Sequence, residues 1–175
     1  QSEKLGSQAV EESTAALIED AEEYLLRMAV DRSEYTSLYF EDTEKAIRTV
    51  AIYAEDIQPD TISLPMSRTK EVIAPDAHPD DVERRELVTL ERIMIPAQTA
   101  HTDITWIYIG TGSGIFRLYP YADDLPPEFD PRSREWYQNA LNQDGIVWSR
   151  PYVDAGKTGL TVTCSYRIPD STRDW

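Results

Sequence analysis

Between Asp130 and Leu141 the stretch DPRSREWYQNAL sets a guanidinium, an indole and a phenol close together, at Arg134, Trp136 and Tyr137. A guanidinium grips a carboxylate through two parallel hydrogen bonds, an indole N–H adds a donor, and the rings supply apolar walls. A second group follows at Tyr152-Val153-Asp154, in a stretch that reads as a strand. A phenol and a carboxylate two residues apart on an extended chain face the same side, where together they would hold an ammonium group. The two groups suit opposite poles of a zwitterion, or a carboxylate alone. Plainer readings stand beside this one. Trp136 and Tyr137 would serve as core aromatics with Arg134 in solvent, and Tyr152 as a strand aromatic with Asp154 forming a turn before Gly156.

Other chemistry is weakly represented. His78 and His101 lie apart without a second ligand at metal spacing, so no metal site or cofactor is expected and surface histidines are. The glycines of Gly110-Thr-Gly-Ser-Gly114 superficially resemble a phosphate loop, but strand-like sequence flanks them on both sides and a hairpin turn is expected. Asp80, Asp81, Glu83 and Glu86 lack calcium-loop spacing and read as a solvated helix N-terminus. Ser133 and Ser149 have no evident base nearby, so no catalytic residue is assigned and an enzyme is not expected.

The 175 residues carry 32 acids against 17 bases, a formal charge of −15, and 41% are hydrophobic. That length and apolar content suffice for one ordinary domain with an appendage. The negative field disfavours nucleic acid and acidic membrane surfaces as partners. A small ligand remains compatible, since a local arginine dominates within a Debye length of about 8–10 Å. The single cysteine, Cys164, forms no internal disulfide and reads as a buried strand thiol. No run of about 18 apolar residues and no signal peptide is visible, and the abrupt start and end look like those of an excised piece.

These residues need elements to position them. From about Ser7 to Ile57 the chain has helix formers, no proline, and apolar residues at three and four spacing, including Leu17, Ala21, Tyr24, Leu25 and Met28. One long helix is expected, or two with a weak joint near Asp31-Arg32-Ser33; its free length should meet a second chain or a membrane. Gln58 to Asp81 holds four prolines and reads as a wandering connection. Asp81 to Gln98 reads as a helix that Pro96 ends. ITWIYIG and IFRLYPY form a hairpin, Asp130-Pro131 starts a helix reaching Asn142, and IVWSRPYVD and LTVTCSYRI read as two further strands, the first interrupted by Pro151. The fold class is α+β, with an antiparallel sheet and flanking helices. Residues 1–57 are the expected signalling and dimerisation helix, and 58–175 the ligand-binding domain.

Three segments in order, WIYIGTGSGIFRLYP, FDPRSREWYQNAL and IVWSRPYVDAGKTGLTVTCSYRI, closely resemble the Cache family of extracytoplasmic sensor domains of chemoreceptors and sensor kinases. The resemblance runs from about Ile104 to Ile168 and implies a PAS-like module behind a long helix, the outer half of a double sensor. It implies a periplasmic or extracellular domain of a membrane-anchored signal-transduction receptor. A small amino acid or carboxylate would be its ligand, and a homodimer through the first helix is expected. In the amino-acid-binding branch it implies that Arg134 and Trp136 hold a carboxylate while Tyr137, Tyr152 and Asp154 line the pocket, the last two at the amine. Phe129 stands where that pattern has a tyrosine, and the chain stops before the strand that carries a later aspartate. The alternative is an interaction module that dimerises through the helix and binds no small molecule.

Overall fold

The computed structural model describes residues 2–55, 68–156 and 159–169, with side chains in the first helix given from residue 13 onward except at 15. The expected connection before residue 68, part of the turn after Asp154, and the chain's last six residues lie outside these. Contacts divide the chain into two compact units, Gln1–Glu41 and Asp42–Trp175. The first helix, α1, covers Ser2–Glu55 as one element. No joint interrupts it near Ser33, because the polar residues there are satisfied within the helix. The Thr36 and Ser37 hydroxyls donate back to the carbonyls of Arg32 and Ser33, at 2.7 and 2.9 Å. In the first unit Leu17, Ile18, Tyr24, Leu25, Leu26, Val30, Tyr35 and Leu38 are all exposed.

The second unit begins with the last turns of α1, where Ala46, Ala51 and Ala54 are buried. Alanine at these positions lets the helix approach its neighbours closely without losing helix propensity. Beyond residue 67 comes β1 (Lys70–Ile73), a strand inside the stretch expected to wander. Then α2 runs Asp81–Ala100, through Pro96 rather than ending there. Proline costs a helix the bond to the carbonyl four residues back and crowds it. Here Pro96 and Arg92 are both exposed, so the orphaned carbonyl lies on the solvent side. The Asp80 side chain caps α2, accepting from the Glu83 N–H at 2.7 Å. Glu83 itself departs from the solvated cluster expected: it is 5% exposed and accepts from the Ser113 hydroxyl at 2.8 Å.

β2 (Ile107–Gly110) and β3 (Ile115–Tyr119) form the expected hairpin, and β1 pairs with the other edge of β3 to give an antiparallel order β1-β3-β2. Gly114 closes the turn at φ +93°, a conformation that side-chain-bearing residues resist. Both faces of this sheet are covered, which explains its nearly continuous apolar sequence. Ile109 and Ile115 pack with Leu87, Leu90 and Met94 of α2 and with Ala51 and Ala54. On the opposite face Phe116 and Leu118 pack with Phe129, Trp136 and Tyr137.

The helix expected from Pro131 to Asn142 is broken. A single 3-10 turn, Pro131–Ser133, precedes α3 (Glu135–Asn142), and Arg134 between them is extended, with φ −85° and ψ 142°. Asp130 draws the turn tight by accepting from the Arg132 N–H at 2.9 Å and from its guanidinium. β4 (Ile146–Trp148) pairs with β7 (Cys164–Tyr166), and β5 (Tyr152–Val153) with β6 (Leu160–Thr161). The strand expected over Leu160–Ile168 is thus two pieces, because Pro151 splits the partner opposite. Among the described residues the expected sheet is one three-stranded and two two-stranded sheets. No described helix is long and apolar enough to cross a membrane.

Candidate functional site

A cleft opens against the face of the β1-β3-β2 sheet that carries Phe116 and Leu118. Alternation builds its floor: Trp106, just before β2, and Tyr108 within it lie two apart, as do Phe116 and Leu118 of β3, and all four line the space. Phe129, Arg134 and Trp136 form one wall, and Tyr152, Asp154, Ala155 and Gly156 another; Ala122, Asp124 and Leu125 come from the loop after β3. The atom-free space is about 520 Å³, part of it open to solvent.

Arg134 reaches the cleft because of the backbone break. As the N-terminal cap of α3 it uses its carbonyl to accept from the N–H groups of Tyr137 and Gln138, at 3.1 and 3.0 Å. Its guanidinium lies 5.6 Å from the centre of the Phe129 ring, within cation–π range. Among the described residues it has no carboxylate partner. Phe129 therefore removes a hydroxyl but supplies a surface on which the guanidinium rests.

Trp136 is 9% exposed and stands edge-on to Tyr108, with ring centres 5.0 Å apart. Gly110 makes this fit possible: a Cβ there would come 2.9 Å from the indole Cη2 and 2.8 Å from the Pro131 Cβ. Tyr137 requires a correction. It is buried beside Trp136, ring centres 5.8 Å apart, and is not among the residues lining the cleft. Consecutive helical residues point about 100° apart, so a helix that aims Trp136 at the cleft aims Tyr137 away from it.

Tyr152 and Asp154 lie on the opposite wall, on one side of the short strand as their spacing requires. The Tyr152 hydroxyl is 2.7 Å from the Thr163 hydroxyl, which is also 2.7 Å from that of Tyr108. Burial first, and then neighbouring Tyr152, raises the Tyr108 phenol well above its ordinary range, so it stays protonated. Asp154 is set by its own turn: the Gly156 N–H donates to its carboxylate at 2.8 Å, and its N–H donates to the Gly159 carbonyl at 3.0 Å. A Cβ at Gly156 would lie 3.0 Å from that carboxylate and 3.5 Å from the Asp124 Cβ, so a bare Cα leaves room for both residues beside it. Asp124 escaped the sequence reading because it sits in a proline-rich loop with no periodicity to give its direction.

The remaining candidates lie elsewhere. Ser133 donates to the Asp130 carbonyl at 2.8 Å, and the Ser149 hydroxyl oxygen accepts from the Thr163 N–H at 2.9 Å. His78 is exposed, His101 is half-buried, and no cluster of metal-ligating residues occurs among the described residues. Cys164 is half-buried; burial first, and the nearby Glu44 second, push its thiol up to about 12.

A long helix, antiparallel strands and further helices, with an aromatic cleft on one sheet face lined by a cation and two carboxylates, make an α+β fold of the PAS-like kind. The family described as methyl-accepting chemotaxis protein-like, first PDC sensor domain, matches residues 80–174, and the chain belongs to it. The match to a first sensor domain agrees with the expected outer module of a double Cache sensor. Among curated proteins, the VWFA and cache domain-containing protein CG16868 of Drosophila melanogaster is 40% identical over 62 residues, 35% of this chain and 4% of that protein. Methyl-accepting chemotaxis protein PscA of Pseudomonas syringae pv. tomato is 32% identical over 90 residues, 50% of this chain and 14% of its own length. The chain thus spans a small part of both. Among solved structures, the ligand-binding domain of the Pseudomonas fluorescens chemoreceptor CtaA in complex with L-alanine superposes with a TM-score of 0.59. At 19% identity over 78 to 87% of this chain and about half of theirs, that domain and a related amino acid chemoreceptor domain share the fold.

Proposed function

We propose that the cleft senses a small zwitterionic amino acid, or a closely related amine-bearing carboxylate, outside the cytoplasm for a membrane-bound receptor. The observation that carries this reading is that Arg134 on one wall, Asp154 on another and Asp124 from the loop after β3 line the same aromatic-walled space. The ligand carboxylate is assigned to Arg134 and the Trp136 indole, and the ammonium to Asp154, Asp124 and Tyr152. Residues 58–175 then act as the ligand-binding domain and residues 1–57 as the signalling and dimerisation helix. Signalling requires that the ligand bind two arrangements of the domain with different affinity.

The test is a thermal-shift and calorimetric titration with L-alanine, L-serine, lactate and acetate. A ligand at 100 times its Kd stabilises by about 2.7 kcal/mol, or roughly 5–10 °C in Tm for a chain of this size. Arg134→Ala should abolish the shift while leaving the unliganded Tm within about 2 °C, as expected of a partly exposed side chain with no carboxylate partner among the described residues. Absence of any shift with all four compounds contradicts the reading.

A second reading has its own observation. The exposed apolar residues of α1 from Leu17 to Leu38 match a helix that packs against another copy. If the domain only dimerises, sedimentation will show a dimer while the titration stays flat, and Arg134→Ala will cost only a little stability.

A further inference from the structure

Thr163 lies in the gap between β6 and β7 and is 7% exposed. Its hydroxyl is 2.7 Å from the hydroxyls of both Tyr108 on the cleft floor and Tyr152 on the wall. Its backbone is fixed at both ends of the residue. The Ser149 N–H donates to the Thr163 carbonyl at 2.9 Å, and the Thr163 N–H donates to the Ser149 hydroxyl oxygen at 2.9 Å. One buried hydroxyl, held from behind, thus joins two phenols that both line the cleft.

We infer that Thr163 is a positioning residue whose hydroxyl oxygen accepts a hydrogen bond from Tyr152, so that Tyr152 presents an acceptor to the cleft and the site selects ligands bearing an ammonium group. This rests on the zwitterion reading of the cleft. A hydroxyl donates once and can accept twice. When Tyr152 donates to Thr163, its lone pairs face the cleft and can accept from an ammonium held beside Asp154 and Asp124. When Thr163 offers no acceptor, the Tyr152 proton has only the neighbouring Tyr108 hydroxyl or the cleft to turn to, and in the cleft it opposes an ammonium, which only donates. A hydroxyl at the same place in the ligand is not opposed, because it can accept.

The pair of probes is therefore L-alanine and L-lactate, which differ in having an ammonium or a hydroxyl at one carbon. By calorimetry, Thr163→Val should weaken L-alanine about tenfold, the size expected when a hydrogen bond to a charged group is lost. L-lactate should change by less than about threefold. Thr163→Ser, which restores the hydroxyl, should return L-alanine to near its original affinity. Tyr152→Phe leaves Thr163 in place, so it should reproduce the selective loss even if the valine variant is poorly folded. The double variant should be no weaker than Tyr152→Phe alone. Equal weakening of both probes by Thr163→Val, failure of serine to rescue, or multiplied effects in the double variant overturns the inference and leaves the site reading standing. If the unaltered protein binds neither probe, the site reading falls and this inference falls with it.

Discussion

Behind the cleft floor, on the other face of β3, Arg117 offers a measurable test of how the fold supports the site. It is 3% exposed and donates from Nη1 to the Glu91 carboxylate at 2.6 Å and to the Thr69 hydroxyl at 3.1 Å. Its Nη2 pairs with Glu71, the residue opposite it on β1. Replacing Arg117 by Met keeps much of the packed volume but withdraws the cation from between two acids. Glu71 still has Arg84, at 2.6 Å, whereas Glu91, with its side chain 6% exposed, loses the Arg117 guanidinium and keeps the Thr69 hydroxyl, which donates to it at 2.6 Å. Removing one partner of a buried ion pair costs about 3–5 kcal/mol, a large share of the 5–15 kcal/mol that typically holds a domain together. With a urea slope of about 2 kcal/mol/M the unfolding midpoint should fall by about 2 M, read by tryptophan fluorescence. Removing both partners, as Arg117→Met with Glu91→Met, should recover at least about 2 kcal/mol of the loss, since no uncompensated charge remains. A loss below about 1 kcal/mol for the single variant, or a double variant no more stable than the single one, would refute this account of the network.

Two further outcomes follow from the packing. Gly110→Ala places a methyl 2.8–2.9 Å from Pro131 and the Trp136 indole, so it should displace the indole, quench the L-alanine response by tenfold or more, and destabilise by about 1–3 kcal/mol; calorimetry and melting together measure both. Because the Cys164 thiol is pushed up to about 12, its contribution to stability should be complete below the ordinary thiol range and fade as pH rises from there toward 12. Native alkylation by iodoacetamide at pH 8 should accordingly be slower than in urea; equal rates would show an accessible thiolate.

Much of the architecture was readable because periodicity reports local structure directly. Three and four spacing marked α1 and α2, and the apolar runs either side of Thr111–Gly114 marked the hairpin. β1 escaped notice because Lys-Glu-Val-Ile is four residues long, lies among prolines, and derives its structure from pairing with β3 rather than from its own pattern. The Pro96 expectation failed because an exposed helix end tolerates an unbonded carbonyl that a buried one would not. At the site, the guanidinium and carboxylate were visible from residue type and strand spacing. Tyr137 was misdirected because sequence adjacency was read as shared direction. Asp124 and Thr163 carry no local signature: one lies in a loop, and the other matters through hydrogen bonds to residues 55 and 11 positions away.

A structure of the protein with L-alanine bound tests the central claim most directly. The account predicts the ligand carboxylate within hydrogen-bond distance of the Arg134 guanidinium and the ammonium against Asp154, beneath Trp136 and beside Tyr152. A ligand seated outside this cleft, or one lying in it with its ammonium turned toward Arg134, would contradict it.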